Sequence, residues 1–309
     1  MARVSDDNAY KVEPMELTGS IVALVTPFDA NNRVDYAALK GLIEFHIEQG
    51  TDGLVIAGTT GESATLSAAE HADLIRRAVQ LVDGRLPVIA GTGSNSTAQT
   101  LQLSLEVGAC GIDGYLLVVP YYNKPVQEGL YRHFSSIADA VPKPVMLYNV
   151  PGRTVADLLP DTVARLAPHE NIFGLKEATG SIERLREIQE RVDASFRLYS
   201  GDDFTVLSFL KQGGHGVVTV SGNVVPAAMS RLCRLVREGE TAAAEKLDAT
   251  LQALNKALFI ESNPIPVKWA LEQMGMIGAG IRLPLTPYSA QYHEQMRAAL
   301  AEAGVTKTQ

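Results

Sequence analysis

Gly53-Leu54-Val55-Ile56-Ala57-Gly58 is an unbroken apolar run with a glycine at each end. A strand with one wet face alternates polar and apolar residues, whereas a strand covered on both faces does not. The run therefore reads as a buried parallel strand. Seven others share its character: 21–26 (IVALVT), 87–91 (PVIAG), 115–119 (YLLVV), 144–149 (PVMLYN), 172–177 (IFGLKE), 197–200 (RLYS) and 216–221 (GVVTVS). Segments of helical period separate them. Asp35 stands where it can cap a helix holding Leu39, Leu42, Ile43 and Phe45, and Gly50 follows that helix. Ser67 and Glu70 have capping-box spacing. Eight strand–helix alternations predict an α/β fold, a closed (β/α)8 TIM barrel, with an open doubly wound sheet as the runner-up.

The flanks read differently. Residues 1–16 are polar and without periodicity, as in a flexible tail, and Met15 reads as the natural start. The barrel is expected over 17–230. A C-terminal helical region packed on it is expected over 231–309, with helical patterns at 231–237, 241–259 and 266–274.

Composition narrows the function classes. The chain has 309 residues, 46 % hydrophobic and 20 % charged, with a formal net charge of −8 and no basic cluster. An acidic surface of this kind excludes nucleic acid and anionic membranes as partners. No apolar run is long enough to span a bilayer, and no secretory signal is visible. Cys110 and Cys233 stand far apart, so neither a disulfide framework nor a zinc site is expected, and the setting reads as cytoplasmic. No His/Cys/Asp/Glu set has metal-ligand spacing.

In a barrel of this kind chemistry gathers at the C-terminal ends of the strands. Gly58-Thr59-Thr60-Gly61-Glu62 offers hydroxyls and backbone N–H groups for an anion, although an ordinary βα turn would look the same. Tyr121 and Tyr122 lie in a stiff loop between Pro120 and Pro125, which fits packing or an interface equally well. Tyr148 closes the run Val145-Met146-Leu147, so its hydroxyl is expected in the barrel mouth. Arg153 follows in a Pro-Gly turn, free to fork a carboxylate or to remain a solvated charge. Lys176 is the strongest signal, because it stands inside the apolar strand Ile172-Phe173-Gly174-Leu175. Burial lowers an ammonium pKa, and a free amine in an apolar pocket attacks carbonyls to form an imine. The competing arrangement is a lysine at a wet strand end, snorkelling or paired with Glu177.

Together these segments resemble the 4-hydroxy-tetrahydrodipicolinate synthase (dihydrodipicolinate synthase) family of pyruvate-dependent class I aldolases. The resemblance is carried by Gly58-Thr59-Thr60-Gly61-Glu62-Ser63, Tyr121-Tyr122-Asn123, Tyr148-Asn149-Val150-Pro151-Gly152-Arg153-Thr154 and Gly174-Leu175-Lys176-Glu177-Ala178. Ser200-Gly201-Asp202-Asp203 and Asn263-Pro264-Ile265-Pro266-Val267-Lys268 belong to it too.

The resemblance implies condensation of pyruvate with L-aspartate 4-semialdehyde in diaminopimelate and lysine biosynthesis, without a cofactor beyond the imine on Lys176. It implies Tyr148 as acid/base, Thr59 as a relay between Tyr148 and Tyr122, and Tyr122 entering a neighbouring subunit's site in a homotetramer built as a dimer of dimers. Thr60 and Thr59 would meet the pyruvate carboxylate, Arg153 the carboxylate of the semialdehyde, and Gly201 and Val218 would line the pyruvate pocket. A regulatory lysine site is implied at Ser63, Ala64, Ala68, His71, Asn95, Gln99 and Tyr121. There Ala68 replaces a histidine of the lysine-sensitive pattern and Gln99 a glutamate, so feedback by lysine is expected to be weak. The alternatives are an N-acetylneuraminate lyase or sugar-acid aldolase of the same superfamily, disfavoured by Thr60 and Arg153, and a non-catalytic binding paralogue.

Overall fold

The computed structural model describes residues 15–305. The expected tail therefore lies outside the described residues as far as residue 14. Met15 packs beside the barrel interior, and Leu17 is buried there.

Eight parallel strands close into a barrel in chain order: β1 (Gly19–Ala23), β2 (Gly53–Ile56), β3 (Val88–Gly91), β4 (Gly114–Val118), β5 (Val145–Asn149), β6 (Ile172–Glu177), β7 (Arg197–Ser200) and β8 (Gly216–Thr219). Each predicted run overlaps one strand, although β1 begins two residues and β4 one residue before the run. The open sheet is excluded because β1 pairs with β8, from Gly19 against Gly216 to Val22 against Thr219. The first and last strands end earlier than expected, and a buried side chain takes up the backbone beyond each: past β8, Asp203 accepts the Val220 and Ser221 N–H groups. Asn223, in a short 3-10 turn after β8, donates to the Ala23 carbonyl at 2.9 Å and accepts the Val25 N–H at 3.1 Å. It satisfies the outgoing backbone of β1 where a ladder would otherwise continue.

Strand alternation sorts the core into two shells. Leu54 and Ile56 face the surrounding helices, whereas Val55 points inward with Ile21, Ile89, Leu116, Met146, Tyr148, Tyr199 and Val218. The N-terminal end of the barrel is stoppered: the Tyr199 phenol donates to the Leu17 carbonyl at 2.7 Å. The predicted caps are present. Asp35 accepts from the Ala37 and Ala38 N–H groups, and Ser67 with Glu70 forms a reciprocal capping box.

The expected division at 230/231 falls inside the helix Pro226–Arg237, which packs on β1 as the eighth barrel helix. Its pattern begins with Pro226 at the first helical turn, a position that reads as loop in sequence but suits a helix start. Helices Thr241–Leu258, Ile265–Gln273 and His293–Glu302 follow, and the first of these packs on both Pro226–Arg237 and His293–Glu302.

Candidate active site

A cavity of about 130 Å³ opens at the C-terminal ends of the strands. It is lined by Thr59 and Thr60 after β2, Tyr148 on β5, Arg153 just beyond it, Lys176 on β6 and Gly201 after β7. These six were anticipated from sequence. Its volume is far below the roughly 300–1,000 Å³ of pockets for drug-sized ligands, so it suits a small acid.

Lys176 is 6 % exposed. Burial pulls its ammonium down to about 7; the Asp203 carboxylate opposes that shift and the Arg153 charge adds to it. Its Nζ stands 4.1 Å from the centroid of the Tyr148 ring, its neighbour in the β5–β6 register. The alternative pairing with Glu177 is absent. Strand alternation sends Glu177 to the opposite face, where its carboxylate accepts from Asn149 Nδ2 at 3.0 Å and the Thr179 N–H at 2.8 Å. Asn149 also donates to Asp157 at 2.8 Å, and Arg184 forks that same carboxylate with two bonds of 2.9 Å.

The rest of the cavity is shaped around the amine. A Cβ on Gly201 would stand 2.9 Å from Lys176 Cε and 2.6 Å from Ala178 Cβ, so only glycine leaves the lysine its place. Burial raises the Tyr148 phenol, while the Arg153 charge and hydrogen bonding with Thr59 pull it back. Asp203, fully enclosed, accepts the Val220 and Ser221 N–H groups at 2.9 Å each, and burial raises its carboxyl.

Two anticipated residues stand elsewhere. Val218 is buried in the inner shell and does not line the cavity; Val220, two residues on and past the end of β8, does. Tyr122 is 87 % exposed and outside the cavity of its own chain. Of the anticipated lysine site, Ser63, Ala64, Ala68, His71, Gln99 and Tyr121 line a second depression of about 630 Å³ that also reaches Thr59 and Arg153. Asn95 is not in its wall; its carbonyl accepts from Asn123 Nδ2 at 2.8 Å.

The C-terminal region contributes groups that received no role from sequence. Asn263 lines the cavity, and its Nδ2 donates to Thr60 Oγ1 at 2.9 Å. Arg153 donates to the Asn263 carbonyl at 3.2 Å. Lys268, in an otherwise apolar helix turn, makes a buried ion pair with Glu62 at 2.5 Å. Arg282 supplies its backbone N–H to the second Glu62 oxygen at 3.1 Å and its side chain to Glu70. The signal available in sequence was the one that marked Lys176, a lysine within apolar neighbours.

The Dihydrodipicolinate synthetase family model matches residues 16–303. The chain belongs to that family. Curated members named 4-hydroxy-tetrahydrodipicolinate synthase, from Stutzerimonas stutzeri and Pseudomonas aeruginosa, are each 54 % identical over 289 residues, covering 94 % of this chain and 99 % of the relative. Among solved members of the dihydrodipicolinate synthase family, the Acinetobacter baumannii protein complexed with pyruvate is 47 % identical, with a TM-score of 0.92 over 94 % of this chain and 100 % of that one. The Cyanidioschyzon merolae protein, solved with lysine bound, is 41 % identical, with a TM-score of 0.91 over 94 % and 99 %. The chain is a lyase of this family built on a TIM barrel.

Proposed function

We propose that the chain condenses pyruvate with L-aspartate 4-semialdehyde through an imine on Lys176. The observation that carries this reading is an enclosed lysine, held down to about 7, in a small cavity with two threonines and an arginine. Such a lysine carries a reactive share of free amine at neutral pH. It attacks C2 of pyruvate, and water leaves. The imine draws electrons from the methyl group, a proton departs, and an enamine forms. The enamine carbon attacks the aldehyde, whose oxygen takes a proton. The amine of the second substrate then closes the ring onto C2 and displaces the Lys176 amine.

Thr60 and Thr59 hold the pyruvate carboxylate, and Arg153 holds the carboxylate of the aldehyde. Tyr148 and Thr59 move protons beside Lys176 without adding charge to the cavity. Tyr122 completes the relay from a second subunit of a tetramer, which gives its exposed ring a place. No cofactor is required, because the imine itself is the electron sink. The reaction belongs to diaminopimelate and lysine biosynthesis in the cytoplasm.

Borohydride added with pyruvate tests the reading. The intact chain should gain one reduced pyruvate, located at Lys176 by peptide mass, and Lys176→Ala should gain none. Turnover of aspartate semialdehyde but not of sialic acid should follow. An unmodified wild-type chain would overturn the assignment.

A further inference from the structure

Among the described residues Arg153 has no ion pair, and its side chain makes one hydrogen bond, the 3.2 Å contact with the Asn263 carbonyl. Its charge is left for a substrate, and its place depends on the backbone that carries it. That backbone is a short loop clipped at both feet. It leaves β5 at Asn149 and returns at Leu158. Asn149, fully buried, spans the two: its Nδ2 donates to Asp157, and its Oδ1 accepts the Leu158 N–H at 2.9 Å. Gln127, at the start of the helix Gln127–Ala140, donates to the Asp157 carbonyl at 2.7 Å and accepts the Leu159 N–H at 3.2 Å. Arg184, in the helix Ile182–Gln189 after β6, forks the Asp157 carboxylate. That guanidinium holds the Asp157 carboxyl below its ordinary range, so the pair is charged at neutral pH. Glu187, in the same helix, stands farther from Arg184, at 3.8 Å.

Between its feet the loop is strained. Arg153 sits in the single helical turn Pro151–Thr154, and Val155 ends that turn at φ 66° and ψ −34°. A β-branched side chain rarely takes a left-handed backbone, because its Cβ crowds the neighbouring carbonyl. Val155 is 65 % exposed, so it gains no burial in compensation. Such a conformation persists only where the flanking structure imposes it. On one flank the Pro151 carbonyl accepts the Val155 N–H at 2.9 Å. On the other the chain is anchored at Asp157 by the fork from Arg184.

We infer that the Arg184–Asp157 pair positions Arg153: it holds the return leg of the loop against the strain at Val155, and so sets how firmly the second substrate's carboxylate is gripped. The inference rests on the reading of Arg153 under Proposed function. Arg184 lies outside the cavity and is a positioning residue. Its effect should fall on the aldehyde and spare pyruvate. Glu177, which links this network to the strand of Lys176, keeps its bonds to Asn149 and the Thr179 N–H without Arg184.

The test removes the fork and then the strain. Arg184→Met should raise the KM for aspartate semialdehyde about tenfold, since small displacements of positioning groups are costly. The pyruvate concentration that half-saturates borohydride trapping at Lys176 should stay within about twofold. Val155→Gly alone should leave both values within about twofold, because glycine takes a positive φ without strain. Arg184→Met combined with Val155→Gly should regain most of the loss, a rescue that a merely stabilising ion pair would not give. An unchanged KM for the aldehyde in Arg184→Met, equal losses for both substrates, or a double variant no better than Arg184→Met overturns the inference. If Arg184→Met does not fold, Arg184→Lys decides. An ammonium cannot fork both oxygens, so the KM for the aldehyde should rise about threefold or more with pyruvate trapping unchanged. An unchanged KM there overturns the inference. A wild-type chain that forms no pyruvate adduct would instead overturn the reading of the cavity on which it stands.

Discussion

Glu62 and Lys268 are separated by 206 residues and meet at 2.5 Å, Oε1 to Nζ, with almost no exposure on either side chain. Glu62 follows Thr59-Thr60-Gly61 directly, in a left-handed conformation at φ 55°. The pair therefore ties the threonine loop to the C-terminal helix that follows Asn263. Two buried charges gain little net stability over apolar side chains of similar size. Their use here is to fix where the loop stands.

That distinction is measurable. Glu62→Gln or Lys268→Met alone leaves one buried partner unmatched and should cost about 3–5 kcal/mol in chemical denaturation. The double replacement by methionine should recover most of that stability. It should still raise the KM for pyruvate about tenfold or more, because small displacements of positioning groups are costly in rate. A double variant with ordinary KM would show the pair to be structural only.

The rate of imine trapping should follow the Lys176 amine. Its ammonium sits near 7, and the attacking species is the neutral form. Single-turnover trapping with pyruvate should therefore rise as pH increases through about 7 and level off above about 8. A profile that keeps rising toward pH 10 would assign an ordinary exposed lysine.

The exposed ring of Tyr122 predicts complementation between subunits. Tyr122→Phe and Lys176→Ala should each be nearly inactive alone. Mixed after subunit exchange, random two-fold pairing leaves about a quarter of the sites with both residues intact. Recovery near that fraction is the expected result, and no recovery after verified exchange would deny a shared site.

Inhibition by L-lysine should be weak. Gln99 stands in the wall of the depression where the resemblance expects a glutamate, and its Oε1 already accepts the Ser94 hydroxyl at 3.1 Å. A neutral, occupied amide gives up the ionic contact to an ammonium, worth about 1.5–3 kcal/mol against roughly 1 for a neutral bond. Initial rates titrated with lysine should show half-inhibition above about a millimolar.

Much of this was legible in the chain because local rules governed it. Continuous apolar runs announced doubly covered strands, and Asp35 and Ser67 announced helix starts, since each signal acts within a few residues. Lys176 stood out because a charge inside an apolar run is costly. What escaped depended on long-range closure. The ends of β1 and β8 were set by Asn223, whose side chain reaches β1 across the barrel seam, and by Asp203. Asn263 and Lys268 acquire meaning only when the C-terminal helices fold back over the mouth. Val218 and Val220 differ by two residues, and which of them meets the cavity follows from where β8 stops.

The contact between Tyr199 and Leu17 carries a practical corollary. Residues 15–18 enter β1 at the rim opposite the catalytic mouth, and Leu17 packs beside Gly53 at the start of β2. A tag or solid support joined directly to Met15 therefore approaches from the far side of the barrel. Chains immobilised that way should present their mouths to the solution, whereas attachment through surface lysines would orient them at random.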